Sequence, residues 1–290
     1  MALPAHQIVV NGIGDAEVAA DALAAADSVL ALTTAPILNS PVAVRATSRS
    51  NNARRLRGLP GIVTPLTTVL SREQLSVSDA EATLVRLGFR FPLLLRAPGF
   101  HTGQHFLRVE SFETLPSALS QLPGKELIVM QYLDARAPDG KSRKYRVMMI
   151  DGQLYPVHLA ISSHWKIHFF NAEMADNAHH RAEDAAFLGN MPEVLGPSAM
   201  TALGRIQSVL ALDYGGIDFG LNANGEILVF EANAAMAVNP PDPDPRWNYR
   251  RTAYSLIHAA VQKMLIGMAL RGEAWKETRP METALAQSGP

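Results

Sequence analysis

The chain has 290 residues, 48% hydrophobic and 18% charged, the make-up of a folded globular protein with a large core and one or two domains. A formal net charge of −1 removes the electrostatic argument for a nucleic-acid or anionic-membrane partner. The absence of cysteine excludes disulfides, thiolate metal sites and cysteine nucleophiles, and fits a reducing compartment.

The N-terminal Met-Ala-Leu-Pro-Ala-His lacks a basic stretch ahead of an apolar run, so no signal peptide is expected. Residues His6 to Thr64 read as a small α/β unit. Ile8 to Val10 is a strand, Asp15 caps an Ala-rich helix over Ala16 to Leu32, and Pro36 to Asn39 is a short strand. Val42 to Leu59 is expected as one helix, and its cluster of Arg45, Arg49, Arg54, Arg55 and Arg57 as a solvated basic face in preference to a phosphate-binding base, for which no single residue of the five stands out. The unit is short for a doubly wound domain and is a candidate truncated one. The apolar first helix offers a surface for a homodimer.

From about Ser78 the pattern changes. Asp79 to Leu87 is a helix, Phe91 to Arg96 a buried strand, Pro98 to Gly103 a loop, His105 to Val109 the returning strand and Phe112 to Gln121 a helix. Glu126 to Leu133 is a further strand. Tyr145 to Ile150 and Gln153 to Leu159 form a hairpin around Asp151-Gly152. Ala185 to Leu212 is helical with breaks near Pro192 and Pro197. The longest apolar helical stretch, Ser255 to Leu270, is interrupted by His258, Gln262 and Lys263, as an amphipathic core-facing helix is and a membrane span is not. A soluble, cytoplasmic protein is the expectation.

The chemistry concentrates in Gly215 to Asn233, a second hairpin. With Asn224-Gly225 as a two-residue turn, Ala223 faces Glu226, and counting outward sets Asp218 opposite Glu231 with Asn233 on the same face; a four-residue loop, Asn222 to Gly225, would make Asp218 and Glu231 diagonal neighbours on one face. Opposed carboxylates repel, so a pair beside Ile227 to Phe230 calls for a cation. Oxygen-only ligands with open positions suit Mg²⁺ holding nucleotide phosphates.

In this order of elements the sequence resembles the ATP-grasp superfamily of carboxylate–amine ligases, and within it the branch of glutathione synthetase and the ribosomal-protein glutamate ligases. The resemblance runs from about Leu38 to Leu270, and its most specific part is the Asp218…Glu231-x-Asn233 signature. It implies an α+β (α/β) fold of two subdomains gripping ATP: a pre-grasp unit at 1–75, a small subdomain at 76–133, a large one at 134–277 and a loose tail at 278–290. It implies Mg²⁺ on Asp218, Glu231 and Asn233, and ATP phosphates on Arg96, where relatives have Lys, under the loop of Gly99, His101, Thr102 and Gly103. Adenine would lie along Gln131, Tyr132 and Leu133, with Gln131 accepting from the amino group where relatives use Glu, and Asp134 either near the ribose or in a surface turn. Arg146 and Lys166 would face the phosphates or the acyl phosphate, with His158 and His168 as weaker candidates.

The activity so implied is amide-bond formation between a small acid or peptide carboxylate and an amine, through an acyl phosphate. The segment Ala234 to Pro245 would shape the second-substrate pocket, where Asp242 and Asp244 either attract an amine or face water. A nucleotide-binding module without ligation, and a kinase acting on a carboxylate or small alcohol, are the competing readings.

Overall fold

The computed structural model describes residues 3–100, 103–167, 169 and 172–278, with side chains to residue 271. Three sheets organise it. The first is a two-stranded parallel pair, β1 (Val9–Val10) and β2 (Ile37–Leu38), joined through α1 (Ala20–Leu30). The second holds β4 (Thr67–Ser71), β5 (Leu93–Arg96), β6 (Phe106–Val109) and β7 (Glu126–Gln131) in the order β4-β7-β5-β6, all antiparallel. The third holds β3 (Ile62–Val63), β8 (Ser142–Ile150), β9 (Gln153–Ser162), β10 (Tyr214–Leu221) and β11 (Ile227–Asn233) in the order β3-β11-β10-β8-β9. Only the short β3 runs parallel to its neighbour in that sheet.

Each larger sheet has its own core. Beneath the four-stranded sheet, Leu93, Leu95, Leu127 and Val129 pack with Leu84, Leu115 and Leu119, which come from α5 (Ala80–Arg86) and α6 (Leu115–Gln121). The five-stranded sheet is covered on both faces. Tyr145, Val147, Ile217 and Phe219 pack on Phe187, Leu203 and Ile206 of α7 (Ala178–Gly189) and α8 (Met191–Leu210). On the other face Met148 and Ile150 meet Ile257, Met264 and Met268 of α9 (Arg251–Thr278). By length and composition the stretch Pro245–Arg271 would also serve as a membrane span. Here its Ala253, Ile257, Met264 and Met268 are buried, while Leu256, Ile266 and Leu270 face outward.

Several elements depart from the sequence reading for local reasons. The expected helix over Val42 to Leu59 is two, α2 (Pro41–Arg45) and α3 (Arg49–Leu56). Thr47 Oγ1 donates to the Val44 carbonyl, and Ser48 Oγ accepts from the Asn51 amide as an N-cap, so side chains replace the continuous backbone ladder. The first helix starts at Ala20, because Asp15 Oδ1 is spent on the amides of Glu17 and Val18 in the turn before it. Strand β4 and the short helix α4 (Arg72–Ser76) after it escaped the sequence reading altogether, although β4 pairs along its length with β7.

The metal-signature hairpin reaches its expected pairing by another route. The loop is longer than two residues, with the Asn222 amide donating to the Glu226 carbonyl, so Leu221 faces Ile227 and Phe219 faces Val229. A bulge that leaves Phe230 unpaired then restores the count, and Asp218 still faces Glu231.

The first unit is anchored on this hairpin by Asn39, a buried residue in the left-handed region at φ 54°. Its Nδ2 donates to the carbonyls of Tyr214 (2.6 Å) and Ala234 (2.8 Å), and its Oδ1 accepts from the Tyr214 amide. Its own amide donates to Asp213 Oδ2 at 2.8 Å. Asn39→Ala strands three buried backbone groups and leaves alanine with a positive φ. Urea denaturation is expected to show a loss of about 2–4 kcal/mol, and a loss below about 0.5 kcal/mol would mean that water replaces the amide.

Candidate active site

A cleft of about 440 Å³ opens between the four- and five-stranded sheets. Its two ends differ in chemistry. Leu94 and Met130 of the small sheet wall one end with Phe106, Tyr132 and Trp165, whose rings pack edge to face, 5.5 Å from Phe106 to Trp165 and 6.4 Å from Tyr132 to Trp165. The other end gathers five cations, Arg49, Arg96, Lys144, Arg146 and Lys166, against two carboxylates, Asp218 and Glu231, with Asn233 beside them.

Strand register dictates the charged end. Glu231 on β11 faces Asp218 on β10, which faces Arg146 on β8, which faces His158 on β9. Opposed residues project from the same side of a sheet, so these four form one row across four strands, roughly 14 Å long at about 4.8 Å per strand. Lys144, two residues before Arg146, shares the face. Arg146 takes Asp218 with two bonds, Nε to Oδ1 at 2.6 Å and Nη2 to Oδ2 at 2.8 Å, and Lys144 Nζ adds a third at 3.0 Å. Burial alone would raise the Asp218 pKa, but Lys144 and Arg146 more than offset it and hold the carboxyl well below the usual range. His158 is shifted in the same direction, which for a base favours the neutral form: burial first, then the nearby Arg146 charge, push its ring well below the ordinary value.

Glu231 has a different partner. Arg49, the first residue of α3, bonds Glu231 Oε1 through Nη2 at 2.5 Å and Glu17 Oε2 through Nη1 at 2.7 Å. Glu17 also receives the Arg49 amide at 3.0 Å. The break between α2 and α3 is what aims this side chain inward. Arg49 was expected on a solvated basic face; its place between two carboxylates corrects that reading. Lys144 and Trp165 also belong to the cleft and were not assigned from sequence. Alternation along β8 could have indicated Lys144, since it shares the parity of Arg146.

Most expected site residues converge here: Arg96, Gly103, Gln131, Tyr132, Leu133, Arg146, Lys166, Asp218, Glu231 and Asn233 all line the cleft. Arg96 is buried at the end of β5, its Nη2 donating to the Phe100 carbonyl and its guanidinium 5.7 Å from the Phe106 ring. Gly103, at φ 73°, leaves room for Lys166: a Cβ there would lie 2.7 Å from Lys166 Cε. Lys166 Nζ then reaches the Phe106 carbonyl at 3.2 Å.

Two expectations, Gln131 and Gly99, are corrected, and of the two readings of Asp134 the structure favours the surface turn. Gln131 lines the cleft, but its side chain is committed to the strand entry: Oε1 accepts from the Arg90 amide, and Nε2 donates to the Arg90 and Pro92 carbonyls. It is therefore taken up as a brace rather than free to accept from a ligand. Asp134 turns away onto Arg136, with Oδ1 accepting from Nε at 2.9 Å, in an exposed turn. Gly99 does not line the cleft, and the side chain nearest to it is Val18 of the first unit. His101, Thr102 and His168 lie outside the described residues, as does the tail beyond Thr278.

Neither a family model nor a curated protein matches this sequence. Solved structures do. The D-Ala:D-Ser ligase VanG of Enterococcus faecalis aligns with a TM-score of 0.57 at 14% identity, over 92% of this chain and 74% of that one. The D-alanine–D-alanine ligase of Bacillus anthracis, solved with ATP, gives 0.53 at 17% identity over 88% and 75%. A RimK-domain ATP-grasp protein of Sphaerobacter thermophilus gives 0.52 at 16% identity over 92% and 82%. At these identities the likeness is one of architecture, and it agrees with the two sheets, the cleft between them and the acidic hairpin: this chain has the ATP-grasp fold.

Proposed function

We propose that the cleft binds ATP with Mg²⁺ and that the protein joins a carboxylic acid to an amine through an acyl phosphate. The observation that carries this reading is the polarity of the cleft: an apolar, aromatic end beside the β7 exit, and an excess of cations around the side chains of Asp218 and Glu231 at the other. A flat base with a polyanionic tail fits that gradient. The structures of similar fold are of ligases, and one was solved with ATP.

The residues present fit a magnesium ion. Asp218, Glu231 and Asn233 offer oxygen atoms from adjacent strands; Lys144 and Arg146 hold the Asp218 carboxyl well below its usual range, and Arg49 pairs with Glu231. Their present partners, Arg146 with Lys144 and Arg49, are cations, which is what such carboxylates require when no metal neutralises them. Mg²⁺ held there would offset phosphate charge and orient the reacting phosphoryl group.

The chain's own side chains then have definite tasks. Arg96 and Lys166 reach the cleft from the small subdomain and from the strand-end loop, where they can hold phosphate oxygens, Arg96 bidentately. Arg146, released in part from Asp218, compensates charge where the substrate carboxylate oxygen attacks the γ-phosphorus and ADP leaves. The amine nitrogen next attacks the acyl carbon, and inorganic phosphate departs. No protein nucleophile is needed, so positioning and fixed charge supply the acceleration.

Two experiments test this. Calorimetric titration of ATP is expected to show binding that requires Mg²⁺, followed by amine-dependent phosphate release in a screen of amino acids and short peptides. Glu231→Gln should lower that release by about 10²–10³-fold with the fold intact. Release without any amine, with a stable phosphorylated product, would favour a kinase, and ATP binding without release a module that has lost ligation. Arg49→Met leaves Glu17 and Glu231 without their shared cation. It is expected to cost about 1–3 kcal/mol in thermal unfolding without metal, and millimolar Mg²⁺ should recover much of that loss. Equal losses with and without Mg²⁺ would place the ion elsewhere.

A further inference from the structure

Beyond Lys144 and Arg146, on the side away from the nucleotide cleft, lies a second cavity of about 230 Å³. It shares Lys144, Arg146, Ala237 and Asn239 with the cleft, so the two spaces meet at the Asp218 clamp. Its remaining wall includes His158, Phe169, Met174, Trp247 and Arg250.

Two nitrogen atoms of that wall are buried without a hydrogen-bond partner among the described residues: His158 Nε2 and Arg250 Nε. Arg250 Nε lies 3.5 Å from Asp184 Oδ2, beyond a well-formed bond, and that oxygen already accepts from Tyr249 Oη at 2.6 Å. An unmade bond on a buried polar group costs about 1–3 kcal/mol. His158 and Arg250 both line the cavity, Arg250 with its Nε turned to Asp184, so the unmade bond that an entering acceptor oxygen would complete is the one at the His158 ring.

The rest of the wall is flat and apolar. The Phe169 ring lies 4.8 Å from the His158 ring and 5.7 Å from that of Trp247, and the Arg250 guanidinium covers it at 4.0 Å. Pro240 and Pro241 close the side next to the cleft. Three cations, Lys144, Arg146 and Arg250, line the cavity against one carboxylate, Asp242, so its wall carries an excess of positive charge. Its volume is below the roughly 300–1,000 Å³ of pockets for drug-sized molecules, and suits a ligand of about the size of benzoate.

We propose that this cavity is the acid subsite: it takes a small carboxylic acid with a flat apolar body, the carboxylate between Arg146 and His158 and the body against Phe169 and Trp247. The role as an acid subsite rests on the ligase reading; the binding itself does not. The cross-strand row explains the placement. His158 ends the row that begins at Glu231, two strand spacings or roughly 10 Å from Asp218. A carboxylate held by His158 and Arg146 therefore lies alongside the metal end of the cleft.

The test is a titration of benzoate without ATP or Mg²⁺, followed by calorimetry and tryptophan emission, with acetate and benzylamine as comparators. Benzoate is expected to saturate at millimolar concentration or below and to change the emission, acetate to bind at least about tenfold more weakly, and benzylamine not to bind. Trp247→Phe should remove the emission change and leave the calorimetric signal. His158→Phe keeps a ring on Phe169 and removes Nε2, so benzoate should weaken at least about tenfold. If that variant does not fold, Arg250→Gln is expected to weaken it likewise. No saturation up to about 10 mM benzoate, equal affinity for acetate, or undiminished affinity in the folded variant would overturn the proposal. Benzoate binding in a protein that neither binds ATP nor releases phosphate would sink ligation and leave the cavity; Mg²⁺-dependent ATP binding without benzoate binding would do the reverse.

Discussion

The buried Asp218 carboxylate is the constraint on which the site depends. It sits in the interior strand β10 with almost no solvent contact, where an unpaired charge would cost several kcal/mol. Arg146 and Lys144 on the adjacent strand satisfy both oxygens, and neither can move far without leaving Asp218 exposed to that cost. Because the clamp bridges β8 and β10, the register of the sheet and the geometry of the charged end are one property. A one-residue slip on either strand would send one partner to the opposite face.

The same logic ties the first unit to the site. Glu231 lies at the edge of the cleft, and the cation that meets it comes from the start of α3, held there by Glu17. Asn39 fixes the neighbouring backbone at Tyr214 and Ala234. Gly14 completes the contact: a Cβ on it would fall 2.2 Å from the Cβ of Ala235, just past Asn233. The small leading unit is thus a third wall of the cleft, and a metal bound by Glu231 would have to compete with Arg49 for it. Occupancy of the site and the seating of α3 are coupled through a single ion pair.

How much of this was legible depends on whether the signal was local. The Asp218–Glu231 facing pair was readable because one extra loop residue and one bulge residue cancel, so the count outward from the turn still ends on it. The order of elements was carried by apolar runs and Gly-rich punctuation, whereas the apposition of the two large sheets was implied only by the family that this order resembles. Arg49 was not legible, since its role depends on a break made by Thr47 and Ser48 and on a partner 182 residues away. Gln131 misled because its residue type suits a ligand, while its bonds to Arg90 and Pro92 follow from a strand pairing that sequence alone does not fix. Strand β4 failed for want of pattern: Thr-Thr-Val-Leu-Ser alternates weakly and has only Leu70 buried.

The row from Glu231 to His158 also explains why two cavities exist instead of one. Arg146 and Lys144 are long enough to fill the middle of the groove, and while they hold Asp218 they stand as a partition between the cleft and the aromatic pocket. A cation that neutralised Asp218 from the cleft side would weaken their hold, because the Coulomb term that keeps them there would be shared. The partition is then made of charge as much as of bulk. If the cleft holds phosphate and the pocket a carboxylate, as proposed, the guanidinium of Arg146 meets an anion on both sides. A planar fork of five donors can serve two such partners at once, which an ammonium at that position could not do with fixed geometry.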